Sequence, residues 1–216
     1  MAASQLTLYN GALLICGERA LASLAENREP RRLLDQAWDG GAVTAVDYCL
    51  GAGQWKFAKR TVELVASTTL TPAFGYAKAF VIPSDHVRTT ALCADEYQKV
   101  PLTDYAQERG YWFADADPLY VSYVSNHADY GSDMALWPTE FIEFVETYLA
   151  RKVVHKLTQD AKEWERVYML AKKCRTEAAS SDAMEGPTAF PPSGAWVAAR
   201  RGRGGANRGN RNSLIG

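Results

Sequence analysis

The chain has 216 residues, 47% of them hydrophobic and 23% charged, which excludes a wholly disordered protein and allows a sizeable core. Of its 24 Lys and Arg, five lie after Glu185 in a stretch with no acid, so the body carries 19 bases against 25 acids, a net of −6. Nothing approaches the ~20 apolar residues of a membrane span, and the run Ala12–Cys16 is too short for a secretory leader.

Ser4 is positioned to cap a first helix in which Leu8, Ala12, Ile15 and Cys16 share a face and Gly17 supplies the stop. A link from Glu18 to Glu29 offers Leu21 and Leu24 as anchors. Pro30 then opens a second helix with Leu34, Trp38, Ala42, Ala45 and Cys49 in register. Its middle holds Gly40-Gly41, each costing about 1 kcal/mol relative to alanine. A kink, a break and a close helix crossing all remain open there.

The period next becomes strand-like. Arg60–Val65, Tyr76–Ile82 and Val87–Ala94 are rich in Val, Thr, Phe and Tyr between Pro and Gly. Tyr111–Ala114 and Leu119–Val124 flank Asp115-Ala116-Asp117-Pro118, a composition that predicts a hairpin turn. Residues 55–136 therefore read as an inserted antiparallel sheet or sandwich.

Trp137–Leu157 is the broadest helical signal. Ile142, Val145, Leu149, Val153 and Leu157 recur at three- and four-residue steps, with Phe141 and Tyr148 widening the stripe. Pro138 fits the first helical position, and Arg151, Lys152, His155 and Lys156 gather at the negative end of the dipole. A last helix begins at Thr158 or Asp160, carries Trp164, Val167, Tyr168, Ala171, Cys174 and Ala178 on one stripe, and is expected to fray near Ser180. The resulting fold class is α+β. It is a four-helix bundle of two N-terminal and two C-terminal helices (1–54 and 137–186), with an inserted β domain (55–136) and an extended Arg/Gly-rich tail (187–216).

No catalytic constellation stands out. Ser84-Asp85-His86 holds triad residue types but reads as a turn after Pro83; Asp115 with Asp117, and His127 with Asp129 and Asp133, read as polar loops rather than metal sites. Gly51-Ala52-Gly53 precedes strand instead of helix and so fails the dinucleotide context. Cys16, Cys49, Cys93 and Cys174 lie at least 33 residues apart, with no metal or redox spacing, and suit a reducing compartment. No enzyme activity, cofactor or metal is expected; metal-assisted hydrolysis through Asp115 and Asp117 ranks last. The exception is the tail, where Trp196, Leu214 and Ile215 are placed to anchor and Arg200, Arg201, Arg203, Arg208 and Arg211 to bind acidic grooves of a portal or neighbouring subunit. The alternative is a nucleic-acid-binding module acting through RRGRGG, whose five arginines would give weak, salt-sensitive binding.

Several segments, taken in order, resemble the tail tubular protein A, or head-to-tail adaptor, family of tailed double-stranded DNA phages. They are LLICGERALASL (13–24), GQWKFAKRTVEL (53–64), FVIPSDHVR (80–88), YWFADADPLYVSYV (111–124), WPTEFIEFVETYLARKVVHKLT (137–158) and ERVYMLAKKCRTEAASSDAMEG (165–186). The likeness spans about Leu6 to Glu185. Its specificity lies in the order and spacing of short motifs, from which Gly40-Gly41 departs and which the tail does not share. The resemblance implies a helical bundle with a β domain in a homo-oligomeric ring of twelve copies. That ring would sit between the portal protein and the tail nozzle protein of the virion, assembled in the host cytoplasm, with double-stranded DNA passing through its lumen.

Overall fold

The computed structural model describes residues 3–99 and 101–185. The tail positions Trp196, Arg200, Arg201, Arg203, Arg208, Arg211, Leu214 and Ile215 lie outside the described residues. The described part is mixed α+β, with five α-helices and two small antiparallel sheets.

Helix α1 (Gln5–Ile15) begins as its sequence dictates: the Thr7 N–H donates to Ser4 Oγ at 3.3 Å, and the Ser4 N–H donates back to Thr7 Oγ1 at 2.8 Å. It ends at Gly17, whose φ of +74° is the left-handed conformation that glycine tolerates. Leu8, Tyr9, Ala12 and Leu13 are buried, whereas Ile15 and Cys16 are only half-buried. In the following link Leu21 is buried, with its backbone held by Asn10, while Leu24 is exposed.

The Gly40-Gly41 pair is a break. Helix α2 (Glu29–Asp39) ends with the Gly40 N–H on Gln36 O, and α3 (Ala45–Gly51) starts afresh at Thr44, whose hydroxyl accepts from the Asp47 N–H at 3.0 Å. The expected single helix of 30–49 is thus two. Two glycines weaken propagation, and the Thr44–Asp47 cap offers the backbone a better restart. Ala42 accordingly sits in an exposed bend, outside the stripe assigned to it.

Six strands follow: β1 (Lys59–Leu64), β2 (Lys78–Val81), β3 (His86–Cys93), β4 (Ala106–Glu108), β5 (Tyr111–Ala114) and β6 (Leu119–Ser125). One sheet has the order β1-β6-β3 and the other β2-β5-β4. Asp115–Pro118 is therefore not a hairpin turn, because β5 and β6 belong to different sheets. Asp115 accepts from the Ala77 N–H at 2.7 Å and Asp117 pairs with Lys78, so the segment is fastened beside β2 while the chain crosses to the other sheet. The true hairpin joins β4 to β5 through Arg109 (φ +49°) and Gly110 (φ +81°). Two successive positive φ values are what a two-residue hairpin of right-handed twist requires.

Helix α4 (Thr139–Thr158) takes Pro138 as its cap rather than its first turn, and Gln159 closes it in the left-handed region. Phe141, Phe144, Val145, Tyr148, Leu149, Ala150, Val153 and Val154 are all buried, so α4 is covered on most of its circumference. Helix α5 (Ala161–Met184) buries Val167, Ala171, Cys174 and Ala178. It runs past Ser180 without fraying because Asp182 is buried and accepts from the Lys56 N–H at 2.8 Å. All four cysteines are free thiols.

Buried apolar residues fall into two clusters. The larger gathers α1–α5 with Trp55, Ala58 and Val124; the smaller holds Phe80, Leu92, Trp112, Ala114, Leu119, Val121 and Tyr123 between the sheets. Strand β6 serves both, since alternate side chains leave opposite faces: Val121 and Tyr123 enter the small cluster and Val124 the large one.

Candidate interaction surface

The polar motifs are satisfied locally. Asp85 accepts from Arg60 Nη1 at 2.7 Å, Ser125 Oγ at 2.5 Å and Tyr123 Oη at 3.0 Å. Burial disfavours its charge, but these three donors outweigh burial and hold the carboxyl below its ordinary range. His86 instead pairs with Thr89 Oγ1 at 2.9 Å and packs against Trp112, so Ser84-Asp85-His86 does not form a relay. Burial lowers the His86 pKa. His127 meets Asp129 at 3.4 Å while Asp133 caps the 3-10 turn Met134–Leu136, so those three do not converge. Among the described residues no group of three or more His, Cys, Asp and Glu side chains could hold a metal ion.

Exposed aromatic and basic side chains gather on the helices. On α4, Tyr148, Arg151, Lys152 and His155 recur at three- and four-residue spacing and so share a flank. Helix α3 brings Tyr48 to it, with the Tyr48 and Tyr148 rings stacked at 4.4 Å and 22°. Helix α5 brings Trp164 and Tyr168, stacked at 5.3 Å and 16°. The Arg151 guanidinium sits among them, 5.8 Å from the Tyr48 ring, 5.1 Å from Tyr148 and 5.9 Å from Tyr168. Lys152 reaches the Tyr148 ring at 5.4 Å. Each such cation–π contact is worth about 0.5–1 kcal/mol when exposed.

Tyr148 is buried, and burial pushes its hydroxyl up to about 12, with the nearby Arg151 pulling the other way. Tyr48, Trp164 and Tyr168 keep 43%, 41% and 40% of their surface in water. Arg175 Nη2, farther along α5, donates to Ala52 O at 3.0 Å. Where α4 turns into α5, His155, Ala161 and Trp164 line a cleft of about 210 Å³. This arrangement has rings to stack and cations to pair, suited to holding a partner.

Sequence periodicity placed Trp164 and Tyr168 on the buried stripe of α5, but they sit at its edge. The center of the stripe is Val167, Ala171, Cys174 and Ala178. The role of Arg151 was missed because it depends on Tyr48 arriving from α3. The i, i+4 pair Trp164 and Tyr168, flanked by charge, was the one available signal. No protein-family model matches this chain, and no curated protein matches it.

Proposed function

We propose that the chain is a structural subunit of a phage virion, a head-to-tail adaptor that forms a ring between the portal and the tail nozzle. In this reading α4 is the central rod of a bundle with the N-terminal helices and α5. The observation that carries it is the open aromatic and cationic strip Tyr48–Arg151–Tyr168–Trp164. Contiguous sticky surface on a protomer marks a binding face for another macromolecule. The ordered motif resemblance supports the assignment to this kind of assembly. A body of net charge −6 repeated around a ring gives a strongly acidic object, and acids facing the channel repel DNA phosphates so that the genome slides.

In the same reading Trp196, Leu214 and Ile215 anchor the tail on the portal or a neighbouring adaptor, with the five tail arginines in acidic grooves. The deciding experiment is electron microscopy of the full chain, alone and mixed with a portal ring. Rings alone or on the portal are expected; a chain that stays monomeric in both samples sinks the reading. Deleting 187–216 should leave a folded body that fails to join the portal. The Arg-Gly run supports a second reading, a nucleic-acid-binding module. Retardation of DNA at modest salt that disappears when the five arginines are replaced would favour it.

A further inference from the structure

Among the strands at the edges of the two sheets, β1 is the one left open along its length. The outer side of β3 is met by the Leu102 N–H, which donates to Leu92 O at 2.8 Å, and that of β2 by the Ser67 N–H on Ala79 O at 2.7 Å. Strand β4 offers only three residues. On β1, the Ser125 N–H donates to Ala58 O at 2.9 Å. In the register Lys59↔Val124 the even residues of β1 therefore bond to β6, and the odd ones turn their backbone groups outward. The Lys59 N–H is taken by Lys56 O at 3.1 Å. No described residue bonds to the Lys59 carbonyl or to the N–H and C=O of Thr61 and Glu63. Such a row is a template for another strand.

The side chains of that row say which strand fits. Lys59, Thr61 and Glu63 are the exposed residues of β1, two apart on one face. Neither Lys59 nor Glu63 enters an ion pair with a described residue. Thr61 lies midway between them, its Oγ1 3.1 Å from Ser122 Oγ. Two copies of β1 running antiparallel about a two-fold axis at Thr61 set Lys59 of each copy opposite Glu63 of the other. Opposite charges facing across strands attract, and threonine pairs also stabilise. The outward backbone groups match in the same register: the Thr61 N–H meets Thr61 O reciprocally, and the Glu63 N–H meets the open Lys59 carbonyl. Moving the axis to Arg60 or Val62 leaves the charges opposite threonine. Moving it to Lys59 or Glu63 opposes like charges. The strand is complementary to itself in one register.

We infer that the free edge of β1 is a self-pairing surface, on which two copies of the chain join antiparallel at Thr61 and run their β1-β6-β3 sheets into one. The contact is isologous, so it joins copies in pairs and does not close a ring. It goes beyond the adaptor reading, and each stands or falls without the other. One short strand on each side makes a small interface, so the pairing is weak and reversible.

Disulfide trapping of the full chain tests it. Opposed, hydrogen-bonded residues of an antiparallel pair lie about 5.5 Å apart at Cα, within the span of a disulfide. Under mild oxidation Thr61→Cys copies should link into covalent pairs, whereas wild type, with only the half-buried Cys16 near solvent, should stay unlinked. Adding Lys59→Glu or Glu63→Lys to Thr61→Cys should slow linking by about tenfold, because each sets like charges opposite one another. An equal mixture of these two double variants should link again, as mixed pairs resolved by mass, since unlike copies restore both opposite-charge contacts. That rescue also shows that the variants are folded. Thr61→Cys copies that link no faster than wild type overturn the inference; the edge is then blunted by Lys59 or kept for a strand of another protein. Linking indifferent to both charge reversals is chance collision of an exposed thiol and overturns it too. So does slowing that the mixture does not relieve.

Discussion

The carboxyl of Glu146 on α4 lies where a side chain at Gly11 on α1 would be: a Cβ there would come within 2.2 Å of its Cδ. The bare Cα lets the two helices close over the carboxyl, and burial, with Glu143 nearby, pushes its pKa up to about 7. The folded protein therefore keeps this proton at pH values where the unfolded chain has released it. Stability from this site is present at acid pH and is lost as pH rises from the ordinary glutamate range through 7. The urea midpoint should fall between pH 5 and pH 8, and Glu146→Gln should remove much of that fall and exceed wild type at pH 8. Parallel pH profiles for the two proteins would refute this account.

Asp85 works with the opposite sign. Its depressed pKa means that its contribution is present above the usual carboxylate range and is lost as pH falls through the folded value. Its three donors come from β1 and β6, so it ties the start of β3 to its neighbour β6 and, across it, to β1. Asp85→Asn keeps the shape but removes the charge that Arg60 and Ser125 address, and should cost about 2 kcal/mol in urea unfolding at pH 7. The deficit should begin to shrink as pH falls below the ordinary aspartate range and should vanish only once the folded carboxyl is itself protonated; a deficit independent of pH would contradict the charge argument.

Gly131 is needed for space. It is buried, its N–H donates to Ser125 O at 3.1 Å, and its carbonyl accepts from Trp137 Nε1 at 2.8 Å. A Cβ there would sit 2.3 Å from the Ser125 carbonyl oxygen and 2.8 Å from Leu50 Cδ1. Backbone cannot yield as a side-chain tip does, so Gly131→Ala should destabilise by about 2–3 kcal/mol. The urea midpoint should drop with an unchanged slope. A midpoint equal to wild type would show that the loop moves aside freely.

What could be read from the sequence was the local part. Ser4, Gly17 and the stripe around Val145 and Leu149 carry their own signals, through capping, backbone conformation and period. The break at Gly40 was visible but ambiguous, because its decision rests on Thr44 recapturing the Asp47 N–H. The Asp115–Pro118 segment announced a reversal without naming the strands involved. Pairing was decided 38 residues away, at Ala77. The aromatic strip was least legible: its central Arg151 looked like a dipole partner, and only the approach of Tyr48 and Tyr168 makes it a bridge between rings.

The end of α5 shows the same non-local control and gives a local test. Asp182 accepts from the Lys56 N–H, the Lys56 ammonium lies on the Asp182 carbonyl, and it reaches the Ala183 carbonyl at 3.0 Å. The last turn of a helix has carbonyls without intrahelical partners, and Lys56 supplies a cation to them. Asp182→Ala strands the Lys56 N–H and should cost about 1–2 kcal/mol. The loss should be confined to the last turn, since Val167 and Cys174 keep their own buried packing. Amide exchange of the α5 backbone from Ala178 onward should therefore quicken by about 10-fold while the amides near Val167 hold their rates. Asp182→Asn retains an acceptor and should fall between the two. Unchanged protection at the end of α5 in Asp182→Ala would mean that the helix persists there on its own propensity, without Lys56.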